Sequence, residues 1–211
     1  MLNRIPLGPR PAAFLIGEVR AVQWKMRDIV LTAIFSALSG AIYLGWDFLF
    51  KAVPVANPVA AAAFNGLWWI AGGIVPYVIR RPGAALLAES IGGFVEFALG
   101  SPYGIQAFTI GIAQGLGIEM GFMLGRYRRY SPLWVMFSCA LGGIGNYVYS
   151  YFYYGVNQYT AAIQLGYIVV TMLSGAVLAG LLSWLIARAL GRTGVLNNFQ
   201  GGRDIQPRGS A

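Results

Sequence analysis

The chain has 211 residues, of which 57% are hydrophobic and only 10% charged, against about 25% in an ordinary soluble domain. That balance points to a polytopic membrane protein with little chain left for a soluble domain. There is no histidine and one cysteine, Cys139, which excludes an intrachain disulfide, a cysteine-built zinc site and any Ser-His or Cys-His nucleophilic pair.

Residues 1–27 carry Arg4, Arg10, Arg20, Lys25 and Arg27 without the layout of a signal peptide. They read as a cytoplasmic arm, with an interfacial segment near Phe14–Val22. A membrane-spanning helix needs about 20 mostly apolar residues, and six segments qualify: 29–50, 58–79, 84–100, 105–125, 133–155 and 163–189. The first span reads LTAIFSALSGAIYLG, with Ala33, Ala37 and Ala41 on one narrow stripe. Such a small-residue face either packs inside the bundle or meets a partner membrane protein. The second span holds Asn65, Trp68 and Trp69 near one end and stops at Arg80-Arg81-Pro82. The third is the shortest and contains Glu89 and Glu96. Its glycines and those of the fourth span predict a close hairpin. The fourth carries Gln114 and Glu119, and the fifth ends in NYVYSYFYYG, with Asn146 and Tyr147. The sixth carries Gln164 and Tyr167. Residues 191–211 read as a cytoplasmic tail, with 200–211 (QGGRDIQPRGSA) of disordered composition.

Six spans place 14 of the 15 lysines and arginines on one side, and only Lys51 on the other. The positive-inside rule then predicts a compact all-α bundle of six transmembrane helices over 28–190 in the plasma membrane, with both termini cytoplasmic. The net charge of +8 is accounted for by this topology, and no nucleic-acid partner is expected. Lys25 is followed by Met26 and Lys51 by Ala52, so neither fits a phosphate-binding loop. No G-x-S-x-G elbow occurs. No enzyme activity, metal or cofactor is expected.

Ionisable residues at membrane depth usually face the bundle interior or a cavity. Glu89 and Glu96 are two helical turns apart and share one face of the third span. At 1.5 Å rise per residue, Glu96 lies about 18 Å from Ala84 at the inner end, and Glu89 about 8 Å. Glu96 is thus in the outer half, where Asn65, Trp68, Gln114, Asn146 and Tyr147 also fall, with Tyr43, Trp46 and Asp47 from the first span. A carboxylate, amides and flat aromatic rings suit a planar, cationic, hydrogen-bonding small molecule. Glu89 and Glu119 serve equally well as braces between helices.

Several stretches together resemble the substrate-binding (S) components of energy-coupling-factor vitamin transporters, and more narrowly the YkoE family. They are Trp24–Asp28, the Ala33/Ala37/Ala41 face, FNGLWW (Phe64–Trp69) and RPGAALLAESIGGFVEFALGSPYG (Arg81–Gly104). Gln114-Gly115, Gly145-Asn146-Tyr147 and TGVLNNF (Thr193–Phe199) add to the match, which covers roughly 24–199. The resemblance implies a ligand of the thiamine or hydroxymethylpyrimidine type, a transmembrane coupling (T) protein and cytoplasmic ABC ATPase domains as partners, and docking of the coupling protein on the alanine face. By analogy it implies ligand contacts from Glu96 with Trp68, Asn65, Gln114, Asn146, Tyr147 and Glu89. Two other readings stand beside it. One is a small proton-coupled carrier with Glu89, Glu96 and Glu119 as a relay. The other is an assembly subunit with no ligand.

Overall fold

The computed structural model describes residues 24–52 and 57–203. The arm with its Phe14–Val22 segment, residues 53–56 and residues 204–211 lie outside the described residues. Among those described, every regular element is helical.

α1 (Met26–Ala52) is one unbroken helix. Its buried face carries Thr32, Ser36, Ser39, Gly40, Tyr43 and Asp47, while Ile34, Leu38 and Ile42 are exposed. Polar inside and apolar outside is the pattern of a helix solvated by lipid. Ala33, Ala37 and Ala41 lie on the exposed side, so the small-residue stripe does not pack within the bundle.

The second segment is a broken helix. α2 (Pro58–Ala62) starts at Asn57, whose side chain accepts from Val59 N at 2.9 Å, and has proline in its first turn. A 3₁₀ stretch, Asn65–Trp69, follows, and then α3 (Ala71–Ile79). Irregular backbone inside a membrane needs partners from protein, and they come from the last segment. Ser174 Oγ donates to Ala63 O at 2.7 Å and accepts from Gly66 N at 2.8 Å; Ser183 Oγ donates to Ile70 O at 2.9 Å. That last segment is α7 (Ala161–Ser174), a π-helical stretch (Gly175–Leu181) and α8 (Leu182–Arg192). π-bulges are frequent at functional sites, and this one packs against the break in the second segment.

α4 (Ala84–Ala98), α5 (Ile105–Leu124) and α6 (Pro132–Tyr153) complete the bundle. The predicted glycine hairpin forms between α4 and α5. A Cβ on Gly93 would stand 2.5 Å from Ala107 O, and one on Gly111 would stand 2.8 Å from Glu89 O. Only glycine permits that approach.

All six segments singled out in the sequence are helical. Four stretches are long and apolar enough to cross a membrane: Met26–Ala52, Pro58–Ile79, Ile105–Leu124 and Ala161–Arg192. α4 has 15 residues, fewer than a straight crossing requires, and α6 is long enough but rich in Tyr and Gly.

The C-terminal stretch differs from its disordered reading at its start. Leu196 is fully buried, and α9 (Gln200–Arg203) is a short helix on α3 and α8. Gly201 and Gly202 carry no side chain and so lie flat against the backbone of Val78 and Leu196.

Candidate ligand-binding site

The three membrane glutamates meet three environments. Glu119 on α5 accepts from Gly83 N at 2.6 Å, Ala85 N at 2.9 Å and Leu86 N at 3.3 Å. It caps the N-terminus of α4 from a neighbouring helix, where unpaired N–H groups and the helix dipole favour a carboxylate. Glu89 is fully buried and accepts from Gly72 N and from Tyr43 OH, the latter at 3.2 Å. Tyr43 OH itself accepts from Ala71 N at 2.9 Å. Glu89 and Tyr43 therefore satisfy the first N–H groups of α3, which the break above it leaves open.

Glu96 is different. It lines a cavity of about 370 Å³, within the range of small-molecule sites. Asn65, Trp68, Gln114 and Asn146 line the same cavity, so five of the seven predicted contact residues converge from the 3₁₀ stretch and three helices. Glu89 and Tyr147 do not. Glu89 is held beneath α3, and Tyr147 OH donates to Gln164 Oε1 at 3.0 Å.

The amides form a chain. Asn65 Nδ2 donates to Tyr167 OH at 3.2 Å and Thr171 Oγ1 at 3.1 Å; Gln114 Nε2 donates to Asn146 Oδ1 at 3.0 Å; Asn146 Nδ2 reaches Tyr167 OH at 3.5 Å. As placed, the Asn65 and Gln114 carbonyl oxygens have no hydrogen-bond partner among the described residues and remain available as acceptors. Phe50, Tyr103, Tyr154 and Tyr159 add aromatic wall.

Below Glu96 the wall is acidic. Ser101 Oγ lies 3.3 Å from Glu96 Oε1 and 2.5 Å from Asp47 Oδ2, and Asp47 Oδ1 accepts Trp68 Nε1 at 2.8 Å. Trp68 is thus fixed by a buried carboxylate while its ring faces the cavity. At the rim, Lys51 Nζ sits 4.5 Å from the centre of the Tyr103 ring. Burial and the facing Asp47 and Glu96 carboxyls push the Tyr103 phenol up from its ordinary pKa, so it stays neutral.

Ser101, Tyr103 and Tyr159 were not among the predicted contacts. Ser101 sits in the SPYG turn, which reads as a helix stop. The signal was one residue earlier: Gly100 takes φ 95°, a conformation open to glycine, and folds Ser101 back over the last turn of α4. Among the described residues, no three His, Cys, Asp or Glu side chains converge as metal ligands. What the cavity offers is a carboxyl group, carbonyl acceptors and flat rings, a set suited to a planar heterocycle with amino groups.

Comparison with known proteins gives concordant results. Residues 27–145 match the family of the permease component of an ABC-type cobalt transport system. A Bacillus subtilis (strain 168) protein, provisionally named HMP/thiamine permease protein YkoE, is 34% identical over 186 residues, covering 88% of this chain and 94% of that one. A solved structure, the crystal structure of an S-component of an ECF transporter, superposes with a TM-score of 0.84 at 34% identity, covering 87% of this chain and 93% of that one.

Proposed function

The chain belongs to the YkoE family of energy-coupling-factor transporter S components, a family of transport proteins and not of enzymes, and from that premise we propose that it is the substrate-binding subunit of a thiamine or hydroxymethylpyrimidine importer. In this reading six helices span the plasma membrane, both termini are cytoplasmic and the cavity opens outward. The ligand passes onward through a transmembrane coupling protein driven by cytoplasmic ABC ATPase domains.

The observation that carries the reading is the meeting of Glu96, Asn65, Trp68, Gln114 and Asn146 around one cavity. A thiazolium or protonated pyrimidine meets the carboxyl, a ring stacks on Trp68, and an exocyclic amino group donates to the free amide carbonyls. The cavity lies at the Lys51 end of α1, while Asp28, Arg80 and Arg81 gather at the other, where Arg81 Nε is 3.2 Å from Asp28 Oδ2. Charge asymmetry therefore supports an outward opening. The relay reading loses support because Glu119 and Glu89 are occupied as helix caps.

The test is equilibrium binding of thiamine and of hydroxymethylpyrimidine to purified protein without ATP. Saturable binding is expected, and Glu96→Gln should weaken thiamine about 10- to 100-fold, matching the roughly 1.5–3 kcal/mol of a hydrogen bond to a charged group. No binding of either molecule overturns the ligand assignment. An unchanged affinity in Glu96→Gln overturns the site.

A further inference from the structure

A second groove, of about 260 Å³, runs between α5 and α6 and shares no residue with the ligand cavity. Its walls are Ala113, Leu116 and Met120 of α5 and Leu141, Ile144 and Val148 of α6, and every residue lining it is apolar. The spacing puts each set on one stripe of its helix, and Leu116, Met120, Ile144 and Val148 are exposed. Gly117 and Gly145 form the floor. A Cβ on Gly117 would collide with Leu141 O, and one on Gly145 with Ala113 O. The two backbones therefore touch at the crossing while the larger side chains splay around it, and a trough remains.

The trough has unlike ends. Beyond Leu141 the α6 stripe continues through Phe137 to Trp134, whose rings are 5.2 Å apart, and the Arg129 guanidinium lies 5.1 Å from the Trp134 ring. Arg126, Arg128 and Arg129 are all exposed in this turn. Among the described residues no carboxylate pairs with them: Asp28 is taken by Arg81, and Glu119 by the first N–H groups of α4. Arg126 and Tyr127 adopt left-handed backbone, at φ 52° and 53°, where a glycine would be less strained, yet the turn keeps an arginine there. At the other end, past Val148, stand Phe152 and Tyr153, exposed aromatics of the kind found at a membrane interface.

A dry apolar trough takes an apolar guest, and a helix about 10 Å across would overfill this one. On α5 the trough begins about 6 Å from Leu124 and ends about 17 Å from it, the depth reached by one leaflet of a hydrocarbon core about 30 Å thick. We propose that it is the binding site of one anionic phospholipid: an acyl chain lies along the trough, and the headgroup phosphate meets the guanidinium groups of Arg128 and Arg129. Guanidinium forks suit phosphate oxygens, and a basic cluster at the mouth of an interhelical slot selects anionic over zwitterionic headgroups. The inference needs the chain to lie in a bilayer and nothing of the vitamin reading.

The experiment is native mass spectrometry of the full chain in mild detergent, titrated with phosphatidylglycerol and with phosphatidylcholine of the same acyl chains. The unaltered chain should retain one phosphatidylglycerol, bound about tenfold or more tightly than phosphatidylcholine. The double variant Arg128→Gln, Arg129→Gln should lose about that factor for phosphatidylglycerol and keep its affinity for phosphatidylcholine. Ile144→Trp, which fills the trough from an exposed position, should weaken both lipids alike. Equal retention of the two lipids by the unaltered chain overturns the proposal and needs no variant. Full retention of phosphatidylglycerol in the double variant overturns the headgroup contact. Full retention in Ile144→Trp, with loss of co-purifying coupling protein, would give the trough to that partner and overturn the lipid assignment.

Discussion

Glu89 and Glu96 lie on one face of α4, and their partners separate them. Glu89 spends its oxygens on Gly72 N and Tyr43 OH; Glu96 lines the cavity beside Ser101. The two substitutions should therefore fail in different assays. Glu89→Ala leaves a buried N–H and a buried hydroxyl without their acceptor, at about 1–3 kcal/mol each. Thermal unfolding in detergent should fall clearly, while Glu89→Gln, which keeps one carbonyl acceptor, should hold thiamine affinity within about threefold, well short of a 1.4 kcal/mol change. A Glu89→Gln variant that binds as weakly as Glu96→Gln would make Glu89 a ligand contact. A Glu89→Ala variant with unaltered unfolding would remove its bracing role.

The break between α2 and α3 is the element that builds the site, because it turns Asn65 and Trp68 into the cavity instead of continuing a helical ladder. Its stability depends on Ser174, which serves Gly66 N and Ala63 O together. Ser174→Ala should cost about 2–4 kcal/mol, since two buried backbone groups lose their partner at once; unchanged unfolding of that variant would mean the break is held otherwise. The break also marks where sequence reading stopped. Hydropathy located segments that are all helical, four of them long and apolar enough to cross a membrane, and the glycine spacing located the α4–α5 hairpin, because both are local patterns of residue type. The depth argument singled out Asn65, Trp68, Glu96, Gln114 and Asn146, which line one cavity, because an amide or carboxyl in lipid needs a partner wherever it sits. The break itself was not legible in FNGLWW. Asn-Gly is a turn signal, but the flanking carbonyls of Ala63 and Ile70 are satisfied by serines more than 100 residues away. Tyr147 lies outside the cavity lining for a related reason: its partner, Gln164, is on the next helix, and periodicity does not say which side of a span a tyrosine serves.

At the scale of the whole molecule the bundle has two poles and one flat side, and each makes a prediction. The poles follow from charge. Lys51 is exposed beside the cavity rim, and Arg128 is exposed in the turn between α5 and α6. Cys139 is buried, so it contributes little background to thiol labelling. Lys51→Cys should react with a membrane-impermeant maleimide on intact cells, and Arg128→Cys only after lysis. The opposite pattern would invert the proposed topology and overturn the outward opening of the cavity. The flat side is the alanine stripe of α1, exposed between Ile34 and Leu38. Lipid alone gives no reason for small residues there, since a bulky apolar side chain is equally well solvated by acyl chains. A rigid helix approaching closely does give one, because small side chains permit short interaxial distances. A large residue at this position should therefore harm assembly and nothing else. Ala37→Trp is expected to change unfolding by no more than about 0.5 kcal/mol, as surface substitutions do, and to leave thiamine binding intact. It should abolish co-purification with the coupling protein and ATP-driven uptake in reconstituted vesicles. Wild-type uptake in that variant would move the docking surface off α1, while loss of ligand binding would mean that the stripe supports the cavity from behind.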